Sequence, residues 1–168
     1  NNKHMGTRNL TIVKVDGKTK VAQYGQWDGY PTGQGQTIAD FLKKVDIEKF
    51  KNQVAALGEY TAEDIKKAFS DAGHTGQDGW VTMEISKKKN LAHPALDRDY
   101  GAGILQLIHN GIVTKVHLDE DFKKDALFCE YCYIINLDNK TVNVNDGKEY
   151  TFDEWKENGL MEKLDEIA

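Results

Sequence analysis

Asn9-Leu-Thr-Ile-Val-Lys-Val-Asp-Gly-Lys-Thr-Lys-Val-Ala-Gln-Tyr24 decides the fold class. Asn9 to Val15 is a run rich in β-branched residues. Asp16-Gly17 follows as a strong two-residue hairpin signal, because both turn positions of the tight type need positive φ. Lys18 to Tyr24 is the return strand. A second hairpin is expected where Phe128 to Asn136 and Lys140 to Val144 flank Asp138-Asn139.

The stretch between the hairpins reads as helical. Ile38, Phe41, Leu42 and Val45 recur at helical spacing from a start near Thr37. Asp46 can cap a second helix carrying Ile47, Phe50, Val54 and Leu57, which Gly58 ends. Thr61-Ala-Glu-Asp64 resembles a capping box for a third helix closing at Gly73. Met83 to Asn90 is a further helix, broken before Pro94. Ile104, Leu105 and Ile108 mark another, ended by Asn110-Gly111. Ile112 to His117 is a short strand candidate. Asp119 to Asp125 is a short helix whose charge order suits the macrodipole, and Thr151 caps a last amphipathic stretch. These elements predict one α+β domain, with an antiparallel sheet made by the two hairpins and helices mainly on one face.

A length of 168 residues suits one domain with its own core. Asn1-Asn2-Lys3-His4 reads as a tag remnant ahead of Met5, leaving 5–168 as the globular unit. No apolar run approaches the roughly 18 residues that span a bilayer, and no signal-peptide pattern is present. A cytoplasmic location is the expectation. Net charge of −5 removes a global basic field for nucleic acid but leaves room for a local site. Lys87-Lys88-Lys89, the one basic run, reads as a solvated helix face. Cys129 and Cys132 form a Cys-x-x-Cys, yet on a strand two thiols three apart point to opposite faces. Reduced, buried cysteines are therefore the better reading than a redox or zinc pair.

Functional interest concentrates in Val21-Ala-Gln-Tyr-Gly-Gln-Trp-Asp-Gly-Tyr-Pro-Thr-Gly-Gln-Gly-Gln-Thr-Ile38. It sets Tyr24, Gln26, Trp27, Asp28 and Tyr30 among four glycines. Aromatic rings beside amides and a carboxylate suit a flat polar ligand, and glycines permit close backbone approach. Gly29 to Gly35 lies between strand and helix, where backbone N–H groups can cradle a phosphate. It lacks the Gly-Lys-Ser/Thr ending of a P-loop and the Gly-x-Gly-x-x-Gly spacing, so a turn-forming loop is the competing reading. Arg8, at the start of the first strand, could reach this loop as an anion clamp. An N-terminal nucleophile is not expected, because removal of Met5 would expose Gly6.

Asp97-Arg-Asp99-Tyr-Gly-Ala-Gly103 opens the helix through Ile104. An EF-hand is excluded by Ile108 at the twelfth-position carboxylate. Helix capping by Asp99 is the simpler reading. The sharper one joins His93, Asp97 and Asp99 with Asp28 as acid and base, or Asp28, Asp97 and Asp99 as ligands for a divalent cation such as magnesium. On this reading the loop 25–36 and the segment 93–101 converge at the sheet edge. Glu130 fits an exposed sheet face, and His109 and His117 fit capping or solvent-facing positions.

Gly6-Thr-Arg-Asn9 together with Ala22 to Pro31 resembles a family of small phage and prophage proteins. Asp99-Tyr-Gly-Ala-Gly103 and Cys129-Glu-Tyr-Cys-Tyr-Ile-Ile-Asn-Leu-Asp138 are similar to its other recurring blocks, so that the likeness runs through nearly the whole chain from Met5. The resemblance implies a counter-defence, anti-CRISPR setting, in which some proteins cut guide RNA. Two functions follow as expectations. One is an RNA phosphodiester hydrolase, with Trp27 and Tyr30 stacking a base, Tyr24 and Gln26 lining the site and Arg8 stabilising phosphate charge. The other is a non-catalytic module that binds a CRISPR ribonucleoprotein effector or a nucleotide signal. Oligomeric state is left open.

Overall fold

The structure, a computed structural model, describes residues 6–75, 81–119 and 129–167. In chain order the first elements are β1 (Asn9–Val15), β2 (Lys18–Gly25), a wide helical turn over Pro31–Gly35, α1 (Gln36–Lys44) and α2 (Ile47–Ala55). β3 (Gly58–Glu59), α3 (Ala62–Asp71), α4 (Met83–Ala92), α5 (Ile104–His109) and β4 (Lys115–Val116) follow. β5 (Tyr131–Asn136), β6 (Thr141–Val144), β7 (Tyr150–Thr151), α6 (Phe152–Trp155) and α7 (Leu160–Ile167) complete it.

The architecture is α+β, around a five-stranded mixed sheet in the order β2-β1-β5-β6-β7. Both expected hairpins are present: β1 pairs antiparallel with β2, and β5 with β6. They do not form a purely antiparallel sheet. β1 and β5 run parallel, from Asn9 opposite Tyr131 to Lys14 opposite Asn136. β7 adds an outer strand, and β3 pairs with β4 in a separate two-stranded sheet. The parallel junction follows from composition. A parallel strand is buried on both faces and reads as a near-continuous apolar run. Leu10, Ile12, Val13 and Val15 in β1, and Ile134 and Ile135 in β5, are all buried.

One sheet face presents Val13, Val15, Val21, Tyr133 and Ile135 to the larger core, which Ile38, Phe50, Leu105, Ile108 and Trp155 fill from the helices. The other face carries a smaller cluster of Leu10, Ile12, Ala22, Cys132 and Ile134. Helix boundaries follow local chemistry. Asp46 accepts from Lys49 N–H at 3.2 Å, and Thr61 and Asp64 form both bonds of a capping box. A second box, Thr151 with Glu154, starts α6, but Gly159 at φ +89° breaks the expected single C-terminal helix before α7. The strand expected over 112–117 shortens to Lys115–Val116. The helix expected over 119–125 lies, apart from Asp119, outside the described residues, as does Phe128. No helix among the described residues is long and apolar enough to cross a membrane.

The two hairpin turns are locked together. Asp16 and Gly17 take φ of 53° and 73°, as the tight turn requires. Asp138, from the other hairpin, accepts from their backbone N–H groups at 2.9 and 3.1 Å. Those two bonds, from Asp16 first and then Gly17, hold the Asp138 carboxyl below its ordinary range. A carboxylate with lowered folded pKa stabilises above its unfolded pKa, and that contribution is lost as pH falls through the folded value. Asp138→Ala is therefore expected to lower Tm at pH 7. The gap from wild type should narrow as acid protonates Asp138, and parallel thermal melts down to pH 3 measure it. A gap that stays constant with pH would show that the carboxylate does not join the turns.

Candidate functional site

The loop after β2 is a stopper packed on the end of the sheet. Asn9, fully buried, donates from Nδ2 to Thr7 O (2.9 Å) and to Trp27 O (3.0 Å). Tyr133, also buried, donates its hydroxyl to Gly29 O at 2.6 Å. Burial, with Tyr131 and Asp165 nearby adding to it, pushes that phenol far above its ordinary pKa. Trp155 Nε1 donates to Gly35 O at 3.1 Å, and the Thr32 hydroxyl to Asp165 at 2.5 Å.

The glycines serve this packing rather than ligand approach. A Cβ on Gly25 would sit 2.5 Å from Asn9 Oδ1 and 2.9 Å from Gly101 Cα. One on Gly33 would collide with the Asp28 carbonyl oxygen. Tyr30 is half-buried, its ring 5.8 Å from that of Tyr131. What remains outside is small: Trp27, 42% exposed, and Asp28, held at φ +54°.

The loop and the segment 93–101 do meet. Trp27 Nε1 donates to Asp99 Oδ1 at 3.1 Å. Gln34 bridges the two, accepting from Ala102 N–H at 2.8 Å and donating from Nε2 to Trp27 O at 3.1 Å. The carbonyl of Trp27 is thus gripped by two amides while its ring faces outward. Asp99 is further oriented by Asp97, whose Oδ1 accepts the Asp99 N–H at 2.9 Å. This Asx turn replaces the expected helix cap.

The remaining candidates are dispersed. Asp28 borders a shallow depression with Tyr30, Thr32, Gln34 and Thr37. His93 turns into a different groove, its Nδ1 3.0 Å from the Tyr60 hydroxyl. Asp28, Asp97 and Asp99 do not gather as a cation site: among the described residues no three His, Cys, Asp or Glu side chains are placed to hold a metal ion. Tyr24 is buried at 4% exposure beneath the Arg98 guanidinium, 4.4 Å from its ring centroid, so its face cannot stack a loop ligand. Arg8 is exposed and its carbonyl accepts from Glu130 and Tyr131 N–H groups. Gln26 is half-buried at the end of β2.

Both cysteines are free thiols, but only Cys132, in β5, is buried; Cys129 is half-buried, its thiol 3.6 Å from Tyr131 O, so the buried reading holds for one of the two. Glu130 and His117 are exposed, whereas His109 packs against Phe41 and Phe50 and meets Gln53 Oε1 at 2.9 Å.

Two features escaped the sequence reading. Asn9, Thr11 and Gln23 share the inward face with Val13, Val15 and Val21, so their burial could have been read from strict alternation. Lys89 is not solvated like Lys87 and Lys88 but only 8% exposed. Four residues after half-buried Ile85, it falls on the inward stripe of α4. Compared with protein-family models, curated proteins and solved structures, the chain matches none of them.

Trp27 and Phe41 should separate surface from core. Trp27→Ala removes one exposed hydrogen bond, worth about 0.5–1.5 kcal/mol, so Tm should fall little. Phe41→Ala empties a buried aromatic site and should cost about 3–5 kcal/mol. Urea titration of both variants checks the contrast. Equal losses would make Trp27 a structural anchor.

Proposed function

We propose that the protein is a counter-defence factor that binds single-stranded RNA, free or within a ribonucleoprotein effector, on the Trp27–Asp99 surface. The observation that carries this reading is the outward Trp27 ring, fixed at its backbone by Asn9 and Gln34 and at its Nε1 by Asp99. A rigid ring beside a carboxylate can stack a splayed base and accept its N–H groups. The phage setting rests on the resemblance of Gly6 to Asn9 and Ala22 to Pro31 to small phage proteins. With a net charge of −5, binding leans on stacking more than on phosphate contacts, and its salt dependence should be shallow.

Hydrolysis of the bound strand is a second reading, favoured by the Asp99 carboxylate standing within hydrogen-bond distance of the ring that would hold the base. Asp28 and His93 border other depressions, and Asp97 spends Oδ1 on the Asp99 N–H, which favours binding without cleavage. A divalent cation, if one takes part, would need ligands from the RNA as well as from Asp99.

Fluorescence anisotropy with labelled guide-type RNA tests the binding. Trp27→Ala is expected to weaken it by the value of one stacked base, about 1–3 kcal/mol, with Asp99→Ala weakening it less. RNA that fails to bind, or that binds Trp27→Ala equally well, sinks the proposal. The same RNA run on denaturing gels with magnesium or EDTA decides hydrolysis: substoichiometric cleavage supports the second reading, and intact RNA with one-to-one binding supports the first.

A further inference from the structure

On the far side of the Asp97–Asp99 turn from Trp27, the outer edge of β2 borders a cleft of about 300 Å³. Its apolar walls come from Ile65 and Phe69 of α3 and from Leu96. Such a volume lies at the lower end of small-molecule sites. Two cations line it, Lys89 and Arg98. Lys89 is 8% exposed, and its ammonium has one hydrogen-bond acceptor among the described residues, Leu96 O at 3.2 Å. It also sits 4.8 Å from the Phe69 ring centroid. An ammonium carries three N–H donors, so the burial leaves donors unspent. Desolvation, with Arg98 opposing a second charge nearby, lowers the Lys89 pKa, and Asp97 only partly offsets this. The Arg98 guanidinium carbon sits 4.4 Å from the Tyr24 ring centroid, and among the described residues no hydrogen bond or ion pair takes up its N–H groups, which a planar anion can engage.

Of the two carboxylates that line the cleft, Asp97 attracts Lys89 only from beyond ion-pair distance, and Asp119 pairs with neither cation among the described residues. No ion pair joins Lys89 or Arg98 to a carboxylate among the described residues, and Asp97 accepts the Asp99 N–H instead. Gln23 supplies an independent sign of a missing partner. It is 3% exposed and lines the same cleft. Its Nε2 is oriented by the carbonyls of Ala95 (3.3 Å) and Asp97 (3.2 Å), which fixes the amide orientation. Its Oε1 is then buried without a donor among the described residues. A buried acceptor left unpaired costs about 1–3 kcal/mol, so a partner for it would be strongly favoured.

We propose that this cleft binds a small organic anion bearing an N–H donor on a flat apolar body. Its phosphate or carboxylate sits between Lys89 and Arg98, its N–H donates to Gln23 Oε1, and its body lies against Phe69 and Leu96. Both an amino-substituted nucleoside monophosphate and an aromatic amino acid satisfy that chemistry.

Calorimetric titration of the full chain with AMP, IMP, phenylalanine and inorganic phosphate tests it. AMP or phenylalanine is expected to bind at least tenfold more tightly than inorganic phosphate. AMP binding more tightly than IMP, whose base donates only through ring N1–H, would assign the donor to the exocyclic amine; phenylalanine alone binding would assign it to an ammonium. Lys89→Met, which keeps the buried stem, and Arg98→Gln at an exposed position should each weaken the favoured probe at least tenfold. Lys88→Met, on the solvated side of the same helix, should leave it unchanged. The proposal is overturned if neither AMP nor phenylalanine binds at millimolar concentration. It is equally overturned if binding survives Arg98→Gln, a variant whose exposed site keeps the fold intact.

Discussion

The pairing of β1 with β5 is the constraint on which the rest of the molecule depends. It joins two hairpins that are each locally stable in pattern but are separated by more than a hundred residues, and it joins them in parallel. Parallel neighbours need a crossover connection. Here that crossover is the whole helical middle of the chain, from α1 to α5. Because β1 and β5 lie at the centre of the sheet, both of their faces must be covered. The helices cover one face with the larger core, while Leu118 and Cys129 pack on the smaller cluster of the other. The Asp138 clasp between the hairpin turns then closes one end of this junction, and the loop after β2 closes the other.

That second closure explains the composition of the aromatic loop. A ring-to-ring path runs from Tyr30 through Tyr131 and Tyr133 to Trp155, so most of the loop's aromatic partners are core rather than display. Pro31 and Gly35 are buried with them. Rigid support of this kind is what a small recognition surface needs, because side chains held by packing lose little further freedom on binding. Trp27 gains its definition from beneath: its carbonyl is held twice, by Asn9 and Gln34, while its indole makes a single bond to Asp99. The loop as a whole is therefore scaffold, and the part free to act is one ring and the carboxylates at its rim.

Local chemistry was legible in the residues and long-range pairing was not. Asp16-Gly17 announced its hairpin because few residues tolerate the required φ, and the Asp46 and Thr61 caps announced their helices because orphan N–H groups need acceptors. The parallel junction had a weaker signal, the near-continuous apolar runs Leu10 to Val15 and Cys132 to Ile135, which alternation-based reading treats as ordinary hairpin strands. At the site, the meeting of Trp27 with Asp99 was anticipated, but the sorting of side chains around it was not. Tyr24 looked like part of a binding loop by proximity, yet it still belongs to β2, paired opposite Leu10 on the face away from Val21 and Gln23 and buried under Arg98. Lys89 looked solvated because its neighbours are, although helical phase alone separates it from them.

The inward face of the sheet changes character along its length, and this gradient sets where function can sit. Val13, Val15 and Val21 make the lower part apolar, whereas Asn9, Thr11 and Gln23 make the upper part polar while still buried. Polar side chains in such a place are costly unless paired. Asn9 and Gln23 discharge most of that cost by holding Thr7, Trp27, Ala95 and Asp97 backbone groups, which is how the loop and the 93–103 segment come to rest on this end of the sheet. Pairing is incomplete: Asn9 Oδ1, Thr11 Oγ1 and Gln23 Oε1 lack partners among the described residues. A fold selected only for stability would replace these with apolar residues continuing the valine face. Through these side chains the polar end of the sheet is tied to the two surfaces it supports, Trp27 beside Asp99 and the Lys89 cleft beside Asp97.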